Sequence, residues 1–137
     1  MILQVAILTP DRIFKNEEAE ELILPTSTGQ IGVLLGHAPL ITALDIGPIL
    51  FRQGTNWVSL ALIGGFALVQ ENQVTILVNE VVTPEQVDKK EAEISLKRSI
   101  DRLDEVRGRK EKVEATFSFK RARARYQIVT WKKLAQY

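Results

Sequence analysis

Few residues in this 137-residue chain could do chemistry. Its only histidine, His37, lies in the segment Gly36-His37-Ala38-Pro39, where glycine and proline favour a shaped turn. No serine or acid is linked to His37 by a recognisable catalytic motif, and the lack of cysteine excludes disulfides, thiol catalysis and cysteine-based metal sites. We therefore interpret His37 as a polar residue in a shaped turn, and we predict a chain that is not an enzyme, with no catalytic residue and no metal.

Two other patterns resemble sites only superficially. The segment Gly29-Gln30-Ile31-Gly32 lacks the Gly-Lys-Ser/Thr ending of a phosphate loop and the third glycine of a dinucleotide fingerprint. Four carboxylates come nearly in a row, and we interpret them as a solvated turn: Glu17, Glu18, Glu20 and Glu21. A small enzyme with its site in this region stays an alternative, although no linked set of catalytic residues supports it.

Charge divides the chain into two parts. Residues 1–84 contain three bases and eight acids, whereas residues 85–137 contain fifteen bases and nine acids. The second part includes a segment that we call the basic tract: Lys120, Arg121, Arg123 and Arg125. No acid follows this tract in the sequence, so it favours a partner with an acidic protein surface or with phosphates. Because aromatic residues flank the tract, a nucleic-acid-binding module using a basic hairpin is the alternative function.

Residues 1–84 have the pattern of a β-sandwich or barrel. Short apolar segments are separated by glycine, proline or asparagine, and we predict strands at 3–7, 21–24, 31–35, 49–52, 57–62, 66–70 and 74–78. Glu71 and Asn72 are predicted to form a two-residue turn, and Gly64-Gly65 a bulge or a close approach of strands. Several strands are apolar on both faces, which suits a two-sheet core or a sheet that buries one face against a partner.

The pattern changes to helical spacing after Thr83. Thr83 is a good N-cap, Pro84 favours the first helical position, and Gln86 completes a capping box. Apolar residues then recur in two amphipathic stretches: Val87, Ile94, Leu96, Ile100, Leu103 and Val106, followed by Val113, Phe117, Ala124, Ile128, Trp131 and Ala135.

Gly108 is predicted to follow the end of the first helix, and two short amphipathic helices of this kind pair as a hairpin. The predicted fold class is therefore α+β. It comprises an N-terminal β-sandwich in residues 1–84, followed by a C-terminal antiparallel α-helical hairpin in residues 85–137.

The segment 25–40 resembles the signature of ATP synthase epsilon subunits. It reads Pro-Thr-Ser-Thr-Gly-Gln-Ile-Gly-Val-Leu-Leu-Gly-His-Ala-Pro-Leu, and residues 45–47 and 64–67 continue the match in order. The resemblance covers essentially the whole chain, and residues 43–47 and 121–125 make it closest to the chloroplast and cyanobacterial branch. Leu35 stands where the family usually has proline, which should change the rigidity of the turn more than its role.

This resemblance implies a non-catalytic central-stalk subunit of a proton-translocating rotary ATP synthase. The sandwich would couple the gamma subunit to the membrane ring of c subunits, with Gly29, Gln30 and His37 as the contact with the c-ring or the gamma subunit. The protein would be peripheral, on the cytoplasmic or stromal face of the thylakoid membrane, without a nucleic acid partner. We expect no direct membrane insertion, because the longest apolar run, 60–69, is far shorter than the roughly 20 residues of a span.

The resemblance also implies a regulatory hairpin. It would fold against the sandwich or extend toward the catalytic head, with a hinge at Gly108. In the extended state the basic tract would meet an acidic segment of the beta subunit and inhibit ATP hydrolysis.

Some bacterial members of the family bind ATP through an Asp-x-x-Arg-Ala motif on the hairpin. The matching positions here read Asp88-Lys89-Lys90-Glu91-Ala92. Glu91 replaces the motif arginine and would repel a phosphate group. We therefore predict no cofactor, with ATP binding weak or absent.

Overall fold

The computed structural model of the chain describes residues 2–134, with side chains up to residue 130. The strands are β1 (Leu3–Thr9), β2 (Arg12–Ala19), β3 (Glu21–Thr26), β4 (Gly29–Leu34), β5 (Leu40–Leu44), β6 (Gly47–Gln53), β7 (Asn56–Gln70) and β8 (Gln73–Val82). The helices α1 (Lys89–Glu105) and α2 (Arg109–Leu134) follow. This arrangement confirms the predicted sandwich and helical hairpin. Ala135, which was expected on the apolar face of the second helix, lies outside the described residues.

The strands pair in the order β2-β1-β8-β7-β5-β3-β4, with β6 pairing with β3 and β7. Among the strands of residues 2–134, β1 and β8 run parallel, and the other pairs are antiparallel. The sheet closes over one large apolar core, whose fully buried side chains include Leu3, Ile7, Leu22, Leu24, Ile49, Phe51, Leu60, Leu62 and Ile76. This core fixes the positions of the turns and faces that are exposed to partners.

The expectation that Glu17, Glu18, Glu20 and Glu21 form a solvated turn was largely wrong, because only Glu20 lies between strands. Glu17 and Glu18 lie on β2, a strand at the edge of the sheet that pairs only with β1. Charged side chains are common on edge strands because they oppose pairing with other chains. The sequence pattern of β2 therefore resembled that of a loop. Strand β5 was also missed.

The segments 57–62 and 66–70 form one strand, β7, instead of two. Gly64 and Gly65 lie inside this strand with φ of 67° and 153°, so they bend it without ending it. A Cβ atom at Gly65 would overlap with the carbonyl oxygen of Leu77 on β8. The predicted close approach of strands at this pair is therefore confirmed.

The first helix begins later than predicted. The backbone N–H of Thr83 donates to Gln86 Oε1 at 2.9 Å, but the capping box closes only a single 3₁₀ turn, Pro84–Gln86. Val87 is extended and buried, and Asp88 is the N-cap of α1. Val87 is buried in the apolar cluster between sandwich and hairpin, and its extended conformation separates the 3₁₀ turn from α1.

The role predicted for Gly108 at the end of the first helix was also wrong. Helix α1 ends at Glu105, and Gly108 immediately precedes the first residue of α2. Its carbonyl accepts the backbone N–H of Lys112 at 2.8 Å, so it caps the start of the second helix. The role of Gly108 as a hinge stays a prediction.

The buried faces of the hairpin differ in part from the predicted apolar stripes. Ala124 and Ile128 are fully buried as predicted, whereas Val113 and Phe117 are 65% and 50% exposed. In α1, Ile94 and Ile100 are exposed, and small residues take the buried positions: Ala92, Ser99 and, on α2, Ala115. The distance between packed helices depends on the side chains at their contact, so small residues let α1 and α2 approach closely.

Candidate partner-binding surfaces

The basic tract lies on the part of α2 that packs against the sandwich. Lys120 Nζ lies 3.2 Å from Asp45 Oδ2, and Arg121 Nη2 lies 2.8 Å from Glu80 Oε1. These partners are 75 and 41 residues away in sequence. The sequence has no acid after the tract. The two acids that pair with it come from much earlier segments, which only the tertiary structure brings close.

The other two tract residues have different surroundings. The guanidinium of Arg123 lies 5.0 Å from the centre of the Phe119 ring, a cation–π distance. Arg125 lines a cleft between α1 and α2. Among the side chains described by the structure, no carboxylate lies within 4.0 Å of either arginine. The structure therefore divides the tract into two paired and two unpaired cations.

The cleft between the helices has a volume of about 500 Å³ and a strongly cationic lining. Arg98 and Arg102 line it from α1, and Arg121 and Arg125 line it from α2. Each pair is spaced i, i+4 and so lies on one helix face. The same spacing is visible in the sequence and could have identified Arg98 and Arg102 as a basic helix face, but the sequence analysis did not select them. Glu91 is exposed and is not part of the lining.

The hairpin also docks through a small apolar cluster. Its buried members come from the sandwich, the connection and both helices: Ala61, Val82, Val87, Ala92, Ala124 and Ile128. The hydroxyl of Ser59 on β7 donates to the backbone carbonyl of Ile128 at 3.2 Å in a buried position. Strands β6 and β7 therefore position α2, and α2 positions the basic tract.

His37 lies in an ordered turn between β4 and β5. Its backbone N–H donates to the carbonyl of Leu34 at 3.2 Å, and its ring Nδ1 lies 2.7 Å from the carbonyl oxygen of Ala38. The N–H of Gly36, a residue with φ of 81°, donates to Asn72 Oδ1 at 2.7 Å. Asn72 belongs to the turn between β7 and β8, so it anchors the His37 turn from another part of the chain.

Gly29 and Gln30 are exposed at the beginning of β4, next to the turn that joins it to β3. Thr26 Oγ1 donates to the Gly29 carbonyl at 2.5 Å across this turn. His37 lies beyond the other end of β4, and six strand residues span about 20 Å at a rise of about 3.3 Å each. The structure therefore does not bring these predicted contact residues into one site.

An exposed apolar face covers part of strands β5, β7 and β8. Ile41 pairs with Leu68, and Phe66 pairs with Leu77. These four side chains are 37% to 74% exposed. The sequence showed strands that are apolar on both sides, but it did not show which residues would face solvent. Contiguous apolar surface of this kind is typical of a protein–protein contact.

The described chain also lacks two other kinds of site. Within the described residues, no group of three or more His, Cys, Asp or Glu side chains is placed to hold a metal ion. None of the helices in residues 2–134 has both the length and the apolar character that crossing a membrane requires.

The exposed apolar face and the basic tract are both surfaces of the kind through which proteins contact other proteins. The sequence model described as "ATP synthase, Delta/Epsilon chain, beta-sandwich domain" matches residues 2–84. A chloroplastic ATP synthase epsilon chain of Chlorella vulgaris is 60% identical over 129 residues, which cover 94% of this chain and 96% of the relative. The chain therefore belongs to the ATP synthase delta/epsilon family, as an epsilon chain. Epsilon chains are non-catalytic stalk subunits, so the prediction that the chain is not an enzyme is confirmed.

Other relatives agree with this assignment. The chloroplastic ATP synthase epsilon chain of Chlamydomonas reinhardtii is 51% identical over 135 residues, with coverage of 94% of this chain and 96% of the relative. Among solved structures, a chain in the Euglena gracilis mitochondrial ATP synthase, described as "OSCP/F1/c-ring in rotational state 1", has a TM-score of 0.79 at 19% identity. That match covers 90% of this chain and 78% of the other. At this identity the structural likeness supports the fold alone.

Proposed function

We propose that this chain couples the gamma subunit to the c-ring in the central stalk of a rotary ATP synthase, and that its C-terminal helices inhibit ATP hydrolysis. The observation that supports the coupling role is the near-full-length similarity to chloroplastic epsilon chains. The names of these relatives also favour a peripheral position on the stromal or cytoplasmic face of a thylakoid membrane. No comparison supports the alternative of a nucleic-acid-binding module, and two tract cations already contact acids of the sandwich.

The exposed apolar face is the surface that we assign to the gamma subunit. Ile41 and Leu68 extend it toward the end of the sheet where β5 begins and β7 ends. The His37 turn, which is anchored to Asn72, lies at that same end. Apolar side chains in the centre and polar groups at the margin are the usual anatomy of a protein interface. We therefore assign His37 to the margin of the gamma contact.

Gly29 and Gln30 are assigned to the c-ring contact. They lie at the opposite end of β4 from His37, so a single small partner surface would not reach both groups. A subunit that couples two partners needs two separate contact surfaces, and the two ends of β4 provide them. Substitution of Gln30 should then weaken the c-ring contact while leaving gamma binding unchanged.

The hairpin provides the proposed inhibitory contact through Lys120, Arg121, Arg123 and Arg125. Here the hairpin is docked, and Arg123 and Arg125 have no carboxylate nearby among the described side chains. An acidic segment of the beta subunit is the partner that the charge of the tract favours. Contact with the catalytic head requires the hairpin to leave the sandwich, with Gly108 as the proposed hinge between α1 and α2.

The test measures ATP hydrolysis by a catalytic head that lacks its own epsilon chain. The parent chain should inhibit it, and a variant with all four tract residues changed to Gln should bind without inhibiting. A matched control instead changes four exposed lysines elsewhere in the hairpin to Gln: Lys89, Lys90, Lys97 and Lys110. If the tract variant inhibits as strongly as the parent, the tract is not the inhibitory contact.

Nucleotide binding by this chain is proposed to be weak or absent. The cleft between the helices presents four guanidinium groups, but Glu91 stands on α1 where the ATP-binding motif has arginine. That exchange removes a phosphate ligand and puts a negative charge in its place.

A further inference from the structure

We infer that Asp45 and Glu80, which we call the acidic pair, compete with the acidic partner of the basic tract for Lys120 and Arg121. The inference rests on the proposed inhibitory function of the tract and specifies its regulation. In this scheme the sandwich itself presents an acidic surface that binds the tract. The hairpin inhibits only when the partner displaces that surface.

The geometry of the acidic pair favours specific binding of the tract. Asp45 lies between β5 and β6, and its Oδ1 accepts the backbone N–H of Ile46 at 2.8 Å, which fixes the carboxylate before the hairpin docks. Glu80 lies on β8, opposite Ile63 of β7. One carboxylate from the β5–β6 connection and one from strand β8 thus meet two consecutive residues of one helix at 3.2 and 2.8 Å.

The buried apolar part of the docking contact is small, although Ile46, Tyr126 and Val129 pack against it half-buried, so the ion pairs add to a limited apolar contact. The buried cluster between hairpin and sandwich consists mainly of alanine and valine, and Ile128 is its one large buried member among the described residues. Small side chains remove little apolar area from water, and the stabilisation from burial scales with that area. Loss of the acidic pair should therefore change the fraction of docked hairpin measurably.

The strength of the pairs suits a reversible contact. The four side chains are 30% to 44% exposed, so solvent screens each ion pair. Pairs of this kind contribute factors of about 1.4 to 5 in an equilibrium, and two of them about 2 to 30. A partner with several carboxylates can overcome a preference of this size.

Competition makes a prediction that a purely structural role does not make. A cation that contacts Asp45 or Glu80 is not available to the catalytic head. Neutralising the acids should therefore strengthen inhibition, whereas neutralising the bases should weaken it. If the pairs only stabilised the fold, the two kinds of substitution would not act in opposite directions on inhibition.

The first experiment measures docking in the isolated full chain. Because the chain has no cysteine, cysteines introduced at the exposed positions Asn56 and Lys110 can be spin-labelled to report the distance between sandwich and hairpin. The variant Asp45→Asn/Glu80→Gln should lower the ratio of docked to undocked chains about 2- to 30-fold. The control Glu18→Gln/Glu71→Gln, which removes two exposed acids elsewhere, should leave the ratio unchanged. An unchanged ratio in the first variant would overturn the inference.

The second experiment measures inhibition of the catalytic head by the same chains. The variant Asp45→Asn/Glu80→Gln should reach half-inhibition at a lower concentration, and Lys120→Gln/Arg121→Gln should require a higher one. The swapped pair Glu80→Arg/Arg121→Glu keeps an ion pair at this position, so it should dock like the parent but inhibit less. Misfolding would not explain weaker inhibition by a chain that docks normally.

The outcomes separate the two proposals. If the acid variant undocks but inhibits no better while the base variant inhibits less, competition is wrong and the inhibitory tract stands. If the base variant inhibits like the parent, the proposed function of the tract is wrong, and competition is overturned with it. The docking measurement still decides in that case whether the acidic pair holds the hairpin.

Discussion

Asn72 Oδ1 accepts the backbone N–H of Gly36 at 2.7 Å and thereby joins the turn between β7 and β8 to the turn that contains His37. The backbone carbonyl of Asn72 also accepts the N–H of Gln4 at 3.0 Å. Three distant segments of the chain therefore meet at one residue. Asn72 has φ of 61°, a conformation that asparagine and glycine tolerate better than other residues.

Removal of the Asn72 side chain should loosen the His37 turn. Asn72→Gly keeps a residue that tolerates the positive φ but loses the acceptor for Gly36, at a cost of about 0.5–1.5 kcal/mol for the hydrogen bond. Amide hydrogen exchange at Gly36 should become faster, and gamma binding should weaken. Asn72→Asp keeps an acceptor oxygen and should restore both readouts. Unchanged exchange at Gly36 in the glycine variant would contradict this role.

A substitution at Gly65 should destabilise the sandwich. The added Cβ of Gly65→Ala meets the carbonyl of Leu77, and φ of 153° is a conformation that L side chains rarely adopt. We expect a loss of more than about 1 kcal/mol in the free energy of unfolding, measured by urea denaturation. Gly32→Ala is the matched control, because a Cβ at Gly32 has no atom within 4 Å. Equal losses in the two variants would refute the steric explanation.

Polar substitutions on the apolar face should weaken gamma binding without harming the fold. Phe66 and Leu77 are 59% and 52% exposed, so Phe66→Ser and Leu77→Ser remove little buried surface from the isolated chain. At an interface the same changes remove apolar contacts, and we expect at least a tenfold loss of affinity, about 1.4 kcal/mol, by titration calorimetry with the gamma subunit. Ile13→Ser on the edge strand β2 is the control. Equal affinities for parent and Phe66→Ser would exclude this face from the contact.

Restoring the motif arginine should strengthen nucleotide binding. In calorimetric titrations with Mg-ATP, the parent chain should show no micromolar affinity. Glu91→Arg should bind measurably because a repelling charge becomes an attracting one on the helix that carries Arg98 and Arg102 of the cationic cleft. Glu93→Arg, two residues away on the exposed surface of α1, provides the same change of charge. If Glu93→Arg gains as much affinity as Glu91→Arg, the effect is one of net charge alone. Micromolar binding by the parent would refute the prediction.

The sequence determined the sandwich, the helical hairpin and the position of the basic tract. Alternating apolar segments and glycine-rich turns identified most strands, and the spacing of Ala124 and Ile128 identified the buried face of α2. These features depend on residues that are neighbours in sequence, which is why periodicity detects them. Strand β2 escaped detection because its edge position permits a polar composition.

Only the tertiary structure decided which groups meet. The sequence could not pair Lys120 with Asp45 or Arg121 with Glu80, nor place Asn72 beside the His37 turn. It also grouped Gln30 with His37, although β4 holds them apart. Contacts between distant segments depend on strand order and register, which cooperative packing of the whole core selects and which no local pattern encodes.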